Sequence, residues 1–202
     1  MQRVLLIILS IFFISACTMP ETNIYSLYLS NRPLPSFSPP QAEGEGGFSA
    51  DAAIVIRIHS PRYLTQSYIA YRYSPYQLEI SRYSKWESPP GDMVKEAFKD
   101  SLSTTGLFKE VRVLNTISGE FYSLEINLKR FEGYDAGSDS FGELLFDVNL
   151  FSPDGRELYI GTISKKVKLD DRGFLSLAKG LSSALTEGIG EAKNSIVIQI
   201  KK

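Results

Sequence analysis

The 202-residue sequence is poor in the residues that most often carry chemistry. It has one cysteine, Cys17, so no intramolecular disulfide can form. It has one histidine, His59, so a multi-histidine metal site or a Cys–His pair lacks its members. Neither a Walker A loop nor a G-x-G-x-x-G turn is present, which argues against binding ATP or a dinucleotide. A charge excess is missing too: 22 Lys and Arg against 23 Asp and Glu give a formal net charge of −1. Nucleic-acid binders ordinarily carry a basic excess or stripe, and charge-disordered chains a surplus of one sign, so the balance argues against both. What remains ample is apolar character, 43% of residues, enough for a core of ordinary domain size.

The N-terminus is built differently from the rest. Met1-Gln2-Arg3 gives a positive start, Val4 to Ile14 is apolar apart from Ser10, and Ser15-Ala16 offers small side chains. That order describes a secretory signal. The apolar run falls well short of the roughly 20 residues that span a bilayer. Ile14-Ser15-Ala16-Cys17 resembles the bacterial lipobox, with cleavage between Ala16 and Cys17 and the Cys17 thiol as acyl acceptor. The expected organisation is a lipoprotein signal peptide at 1–16, a lipidated tether at 17–23 and one domain at 24–202. Thr18 stands where Asp would divert sorting. By resemblance to Gram-negative lipoproteins, this places the protein on the inner leaflet of the outer membrane, facing the periplasm. Removing residues 1–16 leaves 186 residues with a net charge near −2.

The body reads as strands and two helices. Ile24–Leu29 is β-prone, and 31–51 holds four prolines and three glycines, the composition of a loop. Ile54, Ile56 and Ile58 alternate with Val55, Arg57 and His59, so a strand burying its isoleucines is expected. Gln66–Tyr73 and Gln77–Tyr83 come next, broken at Ser74-Pro75. A helix is then predicted, capped by Ser88, with Pro89 in its first position and Val94, Ala97, Phe98 and Leu102 as its apolar stripe. Gly106 fits a left-handed helix end. Val111–Leu114 reads as a short strand.

Two long strands come after it. Tyr122, Leu124, Ile126 and Leu128 share one face of the first; Leu144, Phe146, Val148 and Leu150 share one face of the second. Ser152 to Gly155 is a turn, and Leu158–Leu169 returns. Asp170 or Asp171 is expected to cap a last helix with a stripe of Phe174, Leu177, Ala178, Leu181, Leu185, Ile189 and Ala192, while Ser176, Lys179, Ser183, Glu187 and Glu191 face away. Ser195–Lys202 is expected as a closing strand; exposed, its Ile196–Ile200 segment would be open to pairing with another chain. The fold class is α+β, a mainly antiparallel sheet with two amphipathic helices packed on it.

Few residues offer a site. Six of the eleven tyrosines lie between Tyr63 and Tyr83, beside Arg57, Arg62, Arg72 and Arg82. This stretch reads either as ordinary sheet packing or as a cationic-aromatic surface for an acidic partner or phospholipid headgroups. His59 adjoins Ser60 but lacks a third group to orient it. The run from Gly133 to Glu143 departs from calcium-loop spacing and reads as a hairpin loop. No catalytic residue, metal or cofactor is expected.

The order of motifs is more informative than any one of them. After the lipobox come Tyr25-x-Leu27, a Pro/Gly loop, Pro61-Arg62-Tyr63-Leu64, Ile69-x-Tyr71-Arg72, Tyr83-x-x-Trp86-x-x-Pro89 running into a helix, and Phe108-x-x-Val111. This order resembles the ABC-type transport auxiliary lipoproteins, the PqiC-like group. The resemblance implies a non-enzymatic envelope protein that docks the outer-membrane end of a periplasmic conduit. Its implied partners are a mammalian-cell-entry (MCE) domain protein and inner-membrane ABC-type components that move lipids between membranes, with homo-oligomerisation and no nucleic acid. Tyr25, Leu27, Pro61, Arg62, Leu64, Tyr71, Arg72, Tyr83, Trp86 and Pro89 would then be structural or partner-facing. The rival reading is a structural or assembly lipoprotein that holds a β-barrel or cell-wall complex without lipid cargo.

Overall fold

The computed structural model describes residues 21–29, 50–113 and 120–201. Within them, eight strands form one sheet: β1 (Asn23–Tyr25), β2 (Ala50–His59), β3 (Tyr68–Ser74), β4 (Gln77–Trp86), β5 (Phe108–Arg112), β6 (Phe121–Ala136), β7 (Asp139–Phe151) and β8 (Glu157–Lys168). Two helices, α1 (Pro90–Ser103) and α2 (Phe174–Ile200), pack on it and on each other.

Strand β6 is the spine. Along one edge it runs antiparallel to β7, from Ser123 beside Phe151 to Ala136 beside Asp139, and β7 continues antiparallel to β8. Its other edge is shared by two strands in succession. β2 lies parallel to the first half, ending with His59 beside Asn127. β3 lies parallel further on, with Tyr71 beside Gly133 and Arg72 beside Tyr134. β5 flanks β2, β4 folds back antiparallel on β3, and β1 closes parallel on β4. The sheet is mostly antiparallel, as expected of the α+β class. The parallel pairings left no mark in the alternation, because alternation reports which face a residue takes and not which way its neighbour runs.

The expected core is in place. Ile54, Ile56, Leu124, Ile126, Leu128, Leu144, Phe146, Val148 and Leu150 are all buried, and so is Val55, because β2 is an inner strand between β5 and β6. Ile58 is half-buried. Helix α1 buries Val94, Ala97, Phe98 and Leu102, and Phe98 meets Phe146 edge-on at 5.6 Å between ring centres. Helix α2 approaches closely at Gly188, where an added Cβ would come to 3.0 Å from Ile163 Cγ2 and 3.4 Å from the Phe146 ring.

Several expectations are corrected. The first strand is three residues long, not Ile24–Leu29, because the chain turns to run between the helices after Tyr25. The 31–51 loop gives way to β2 at Ala50, and its residues 31–49 lie outside the described ones. The short strand is Phe108–Arg112, starting three residues earlier than expected; Leu114 lies outside the described residues. Helix α1 starts at Pro90, with Pro89 as its N-cap and no side-chain cap from Ser88. Gly106 has a positive φ of 65°, yet the helix C-cap is Thr104. Gly173, rather than Asp170 or Asp171, is the N-cap of α2; Asp171 instead accepts the Gly173 N–H at 2.5 Å, an Asx-type turn before the helix. Ser176 is buried and does not face away. Most of Gly133–Glu143 belongs to β6 and β7, so the hairpin loop is confined to Gly137-Ser138.

The largest correction concerns the C-terminus. Ser195–Lys202 does not form a strand: α2 runs on to Ile200. Its β-branched residues favour a strand locally, but Ile196 continues the buried stripe of Ile189 and Ala192 at helical spacing. Extending an existing helix needs no new nucleus, so packing overrides local preference.

Candidate functional site

Three features converge where β1, β3, β4 and β6 meet. The first is the seam that seats the N-terminal segment. The Tyr25 carbonyl accepts the Glu87 N–H at 2.9 Å, Ser26 Oγ donates to Glu87 Oε2 at 2.6 Å, and the Tyr28 N–H donates to Ser182 Oγ at 3.1 Å. The Tyr25 and Tyr71 rings both lie against Phe174, with centres 5.9 and 5.7 Å away. Leu29 lines a groove between Ala97 of α1 and Ile189 of α2. A segment of nine described residues therefore touches the sheet and both helices.

The second feature is a buried carboxylate. The β6–β7 register shifts between Leu128 and Arg130. A bulge there inverts the in–out alternation of the rest of the strand, so Phe131 takes the core side and Glu132 the opposite face. Glu132 is fully buried all the same. Arg72 Nε donates to Glu132 Oε1 at 2.5 Å and Nη2 to Oε2 at 3.3 Å, the two-pronged geometry a guanidinium offers. Tyr63 Oη donates to Oε2 at 2.8 Å.

Tyr63 arrives there on a single 3-10 turn, Arg62–Leu64, that carries the chain from β2 to β3. The turn faces the part of β6 that neither strand pairs with, and buried Leu64 fastens it. Across the ladder, Glu143 sits opposite Glu132. Like charges in that position repel. Here Glu143 has its own cations, Arg130 and Lys166, each at 2.9 Å.

Burial, reinforced by the Glu132 carboxylate, holds the Tyr63 phenol far above its ordinary pKa. Burial chiefly, with Asp135 nearby, pushes Tyr71 up to about 12. A phenol whose pKa is raised above the unfolded ~10 stabilises the fold fully below that pH and loses the contribution as pH climbs through the folded value. Thermal melts should therefore stay level to about pH 10 and fall steadily above it, and Tyr63→Phe should make the fall shallower. A melting temperature flat from about pH 9 to 12 would contradict this assignment.

The third feature is the β3–β4 hairpin. Tyr76 at its turn is 97% exposed, and Tyr73, Ile80 and Tyr83 are 43, 44 and 49% exposed. Tyr73, Ile80 and Tyr83 line a shallow depression with Tyr71 and Phe174.

The motif residues thus divide. Cys17 and Ala16 lie outside the described residues. Tyr25 and Tyr71 meet at Phe174, Arg72 holds Glu132, Leu64 and Trp86 are core, Leu27 is half-buried against it, and Pro89 opens α1. Pro61, Arg62 and Tyr83 are exposed. The expected cationic-aromatic surface is reduced, because Arg72 is committed to Glu132, and Arg57 to Ser123 at 2.8 Å and Glu125 at 3.7 Å. His59 is exposed. Sequence reasoning missed Glu132, Gly133 and the hub role of Phe174. Gly133 is where the Tyr71 ring crosses β6: an added Cβ would lie 2.6 Å from its Cδ1. A glycine inside a strand is the one local signal of such a close approach.

A mixed eight-stranded sheet with two packed helices, entered through a strand stitched to both layers, defines a two-layer α+β domain that recurs among solved structures. A protein of Xanthomonas campestris assigned to family DUF330 matches at a TM-score of 0.70 and 19% identity, over 88% of this chain and 96% of its own. An uncharacterized protein matches at 0.67 and 16% identity, over 88% and 99%. The hypothetical protein CT253 of Chlamydia trachomatis matches at 0.51 and 7% identity, over 75% and 98%. At such identities the likeness establishes the fold alone. The family is set by sequence: the model for the ABC-type transport auxiliary lipoprotein component matches residues 34–190, and the chain belongs to that family. No curated protein matches the chain. No helix among the described residues is long and apolar enough to cross a membrane.

Proposed function

We propose that this protein is held in the Gram-negative envelope by acylated Cys17, on the periplasmic side of the outer membrane. There it acts as a non-enzymatic docking subunit of an MCE/ABC-type intermembrane lipid transport system. The observation that carries the reading is the seating of the N-terminal segment. Tyr25, Ser26 and Tyr28 are bonded to Glu87 and Ser182, so the segment after the tether is part of the folded body. Only Thr18–Thr22 separates Cys17 from β1, and six residues reach at most ~20 Å when extended. A body held that close to a bilayer suits the fixed end of a conduit. Acyl chains, at ~0.8 kcal/mol per buried methylene, provide the hold.

The chemistry of the interior supports a scaffold. Its buried carboxylate is neutralised by Arg72 and hydrogen-bonded by Tyr63, so the group serves the fold. Family membership in a transport auxiliary component directs the docking role toward a transporter.

Cross-linking in intact envelopes tests the reading. An MCE-domain protein with inner-membrane components should be captured, together with homo-oligomeric adducts. Cys17→Ser should release the protein from membranes. Capture of barrel or cell-wall components instead, from acylated protein, would favour an assembly lipoprotein. Unchanged membrane retention of Cys17→Ser would remove the anchor from the account.

A further inference from the structure

We propose that the β3–β4 hairpin is a second membrane contact, its aromatic tip resting in the headgroup layer of the bilayer that holds Cys17. This rests on the lipid-anchor reading above. The register of β1 supplies the geometry. β1 runs parallel to β4, with Asn23 beside Ser84 and Tyr25 beside Trp86. Traced backwards from Asn23, β1 points the way β4 comes from, toward the turn between Ser74 and Gln77 and away from α1. Cys17 precedes Asn23 by six residues, a reach of ~20 Å. β4 is bulged between Ile80 and Lys85, so its length is read along β3: Tyr68 beside Lys85 and Ser74 beside Gln77 are six residues apart, roughly 20 Å at about 3.3 Å per residue. A tether that keeps the direction of β1 brings the acyl chains and the turn to the same end of the sheet.

What stands at that end has interfacial chemistry. Tyr76 is almost wholly in water, Tyr73, Ile80 and Tyr83 are each more than two-fifths exposed, and Ile24 on the neighbouring strand is 69% exposed. Rings with an apolar body and a polar tip sit at the headgroup level of membranes. Arg82, exposed between Ser81 and Tyr83, adds a cation for anionic lipid, with Glu79 the one acidic residue on that stretch of β4. Clustered apolar surface of this kind marks an interaction site. A bilayer is favoured over a protein groove because the most exposed ring stands at a protruding turn, about as far from the start of β1 as the extended tether reaches.

The acylated protein is its own test material, because acylated Cys17 has no free thiol and the chain has no other cysteine. An environment-sensitive dye is placed at Tyr76→Cys and, as a control on the far edge strand, at Ile160→Cys, where the native residue is 61% exposed. Each labelled protein is reconstituted in phosphatidylethanolamine–phosphatidylglycerol vesicles. The Tyr76 label should emit to the blue and be quenched from the aqueous phase about threefold less than the Ile160 label, as expected of a group at headgroup depth. Equal quenching of both labels in vesicle-bound, acylated protein overturns the hairpin contact and leaves the anchor standing. Protection in native envelopes but not in protein-free vesicles assigns the tip to a protein partner and also overturns it. Mass spectrometry showing unmodified Cys17, with the protein in the supernatant, overturns the anchor and the contact with it.

Discussion

Arg72→Ala should lower the stability of the domain by about 3 kcal/mol, because it strands a buried carboxylate. Glu132 is fully buried and has two side-chain partners, Arg72 and Tyr63. Removing the guanidinium leaves a neutral phenol to support a negative charge that water does not reach. In a chain of this size, about 3 kcal/mol is a fall of roughly 6–12 °C in melting temperature, read by circular dichroism. The double replacement Arg72→Met with Glu132→Leu should recover most of the loss, since a buried ion pair exchanged for apolar side chains of similar volume is often neutral. That contrast separates an unpaired charge from simple loss of packing. A single-mutant shift within about 0.5 kcal/mol would show that Glu132 is satisfied by other means.

Trp86→Ala should cost about 3–5 kcal/mol. Trp86 is 2% exposed, at the end of β4 where the chain prepares to enter α1. Its ring meets Phe131 edge-on at 5.4 Å, and its backbone N–H donates to the Ser67 carbonyl at 2.6 Å. The alanine variant keeps the backbone bond and loses the ring, leaving a cavity against Phe131. Among the described residues the indole N–H has no hydrogen-bond partner. Trp86→Phe therefore breaks no bond and should cost far less, about 1–2 kcal/mol of packing. Chemical melts followed by circular dichroism distinguish the two variants. A shift of a few tenths for Trp86→Ala would mean that the ring contributes little packing and would favour a partner-facing role for this residue.

Much of this architecture was legible in the sequence because its signals are local. The alternation at Leu124–Leu128 and Leu144–Leu150, the stripe of Val94, Ala97, Phe98 and Leu102, and the turn at Ser152–Gly155 each need only a few neighbouring residues to declare themselves, and each stands as read. The misreadings have a common cause, which is long-range contact. The Ile196–Ile200 run looks like a strand until Ile196 is seen to complete a buried stripe. Ile24–Leu29 looks like one strand until its second half is drawn between two helices.

The candidate site was less legible still. Arg72 was singled out by its motif, but its partner lies sixty positions away. A glutamate between Phe131 and Gly133 gives no sign that a bulge upstream has turned it to the other face. Tyr63 and Arg72 appeared in the sequence as parts of a cationic-aromatic surface. The structure uses both to satisfy one buried carboxylate, Arg72 by its charge and Tyr63 by a hydrogen bond, which leaves Arg62 and Arg82 to carry that surface.

The shared edge of β6 has a consequence for how the chain must be assembled. β1 finds its partner sixty-one positions downstream, at Ser84, and the β2 contacts with β6 begin sixty-eight positions downstream, between Ala53 and Phe121. A chain delivered across a membrane N-terminus first presents these strands before the residues that will pair with them. Loop-closure entropy is met before any of those contacts can offset it. The meander of β6, β7 and β8, joined by short turns, has no such wait. The end that would carry the lipid is therefore the end whose strand order depends on residues still to emerge, and any factor that holds the nascent N-terminus must do so until the middle of the domain has arrived.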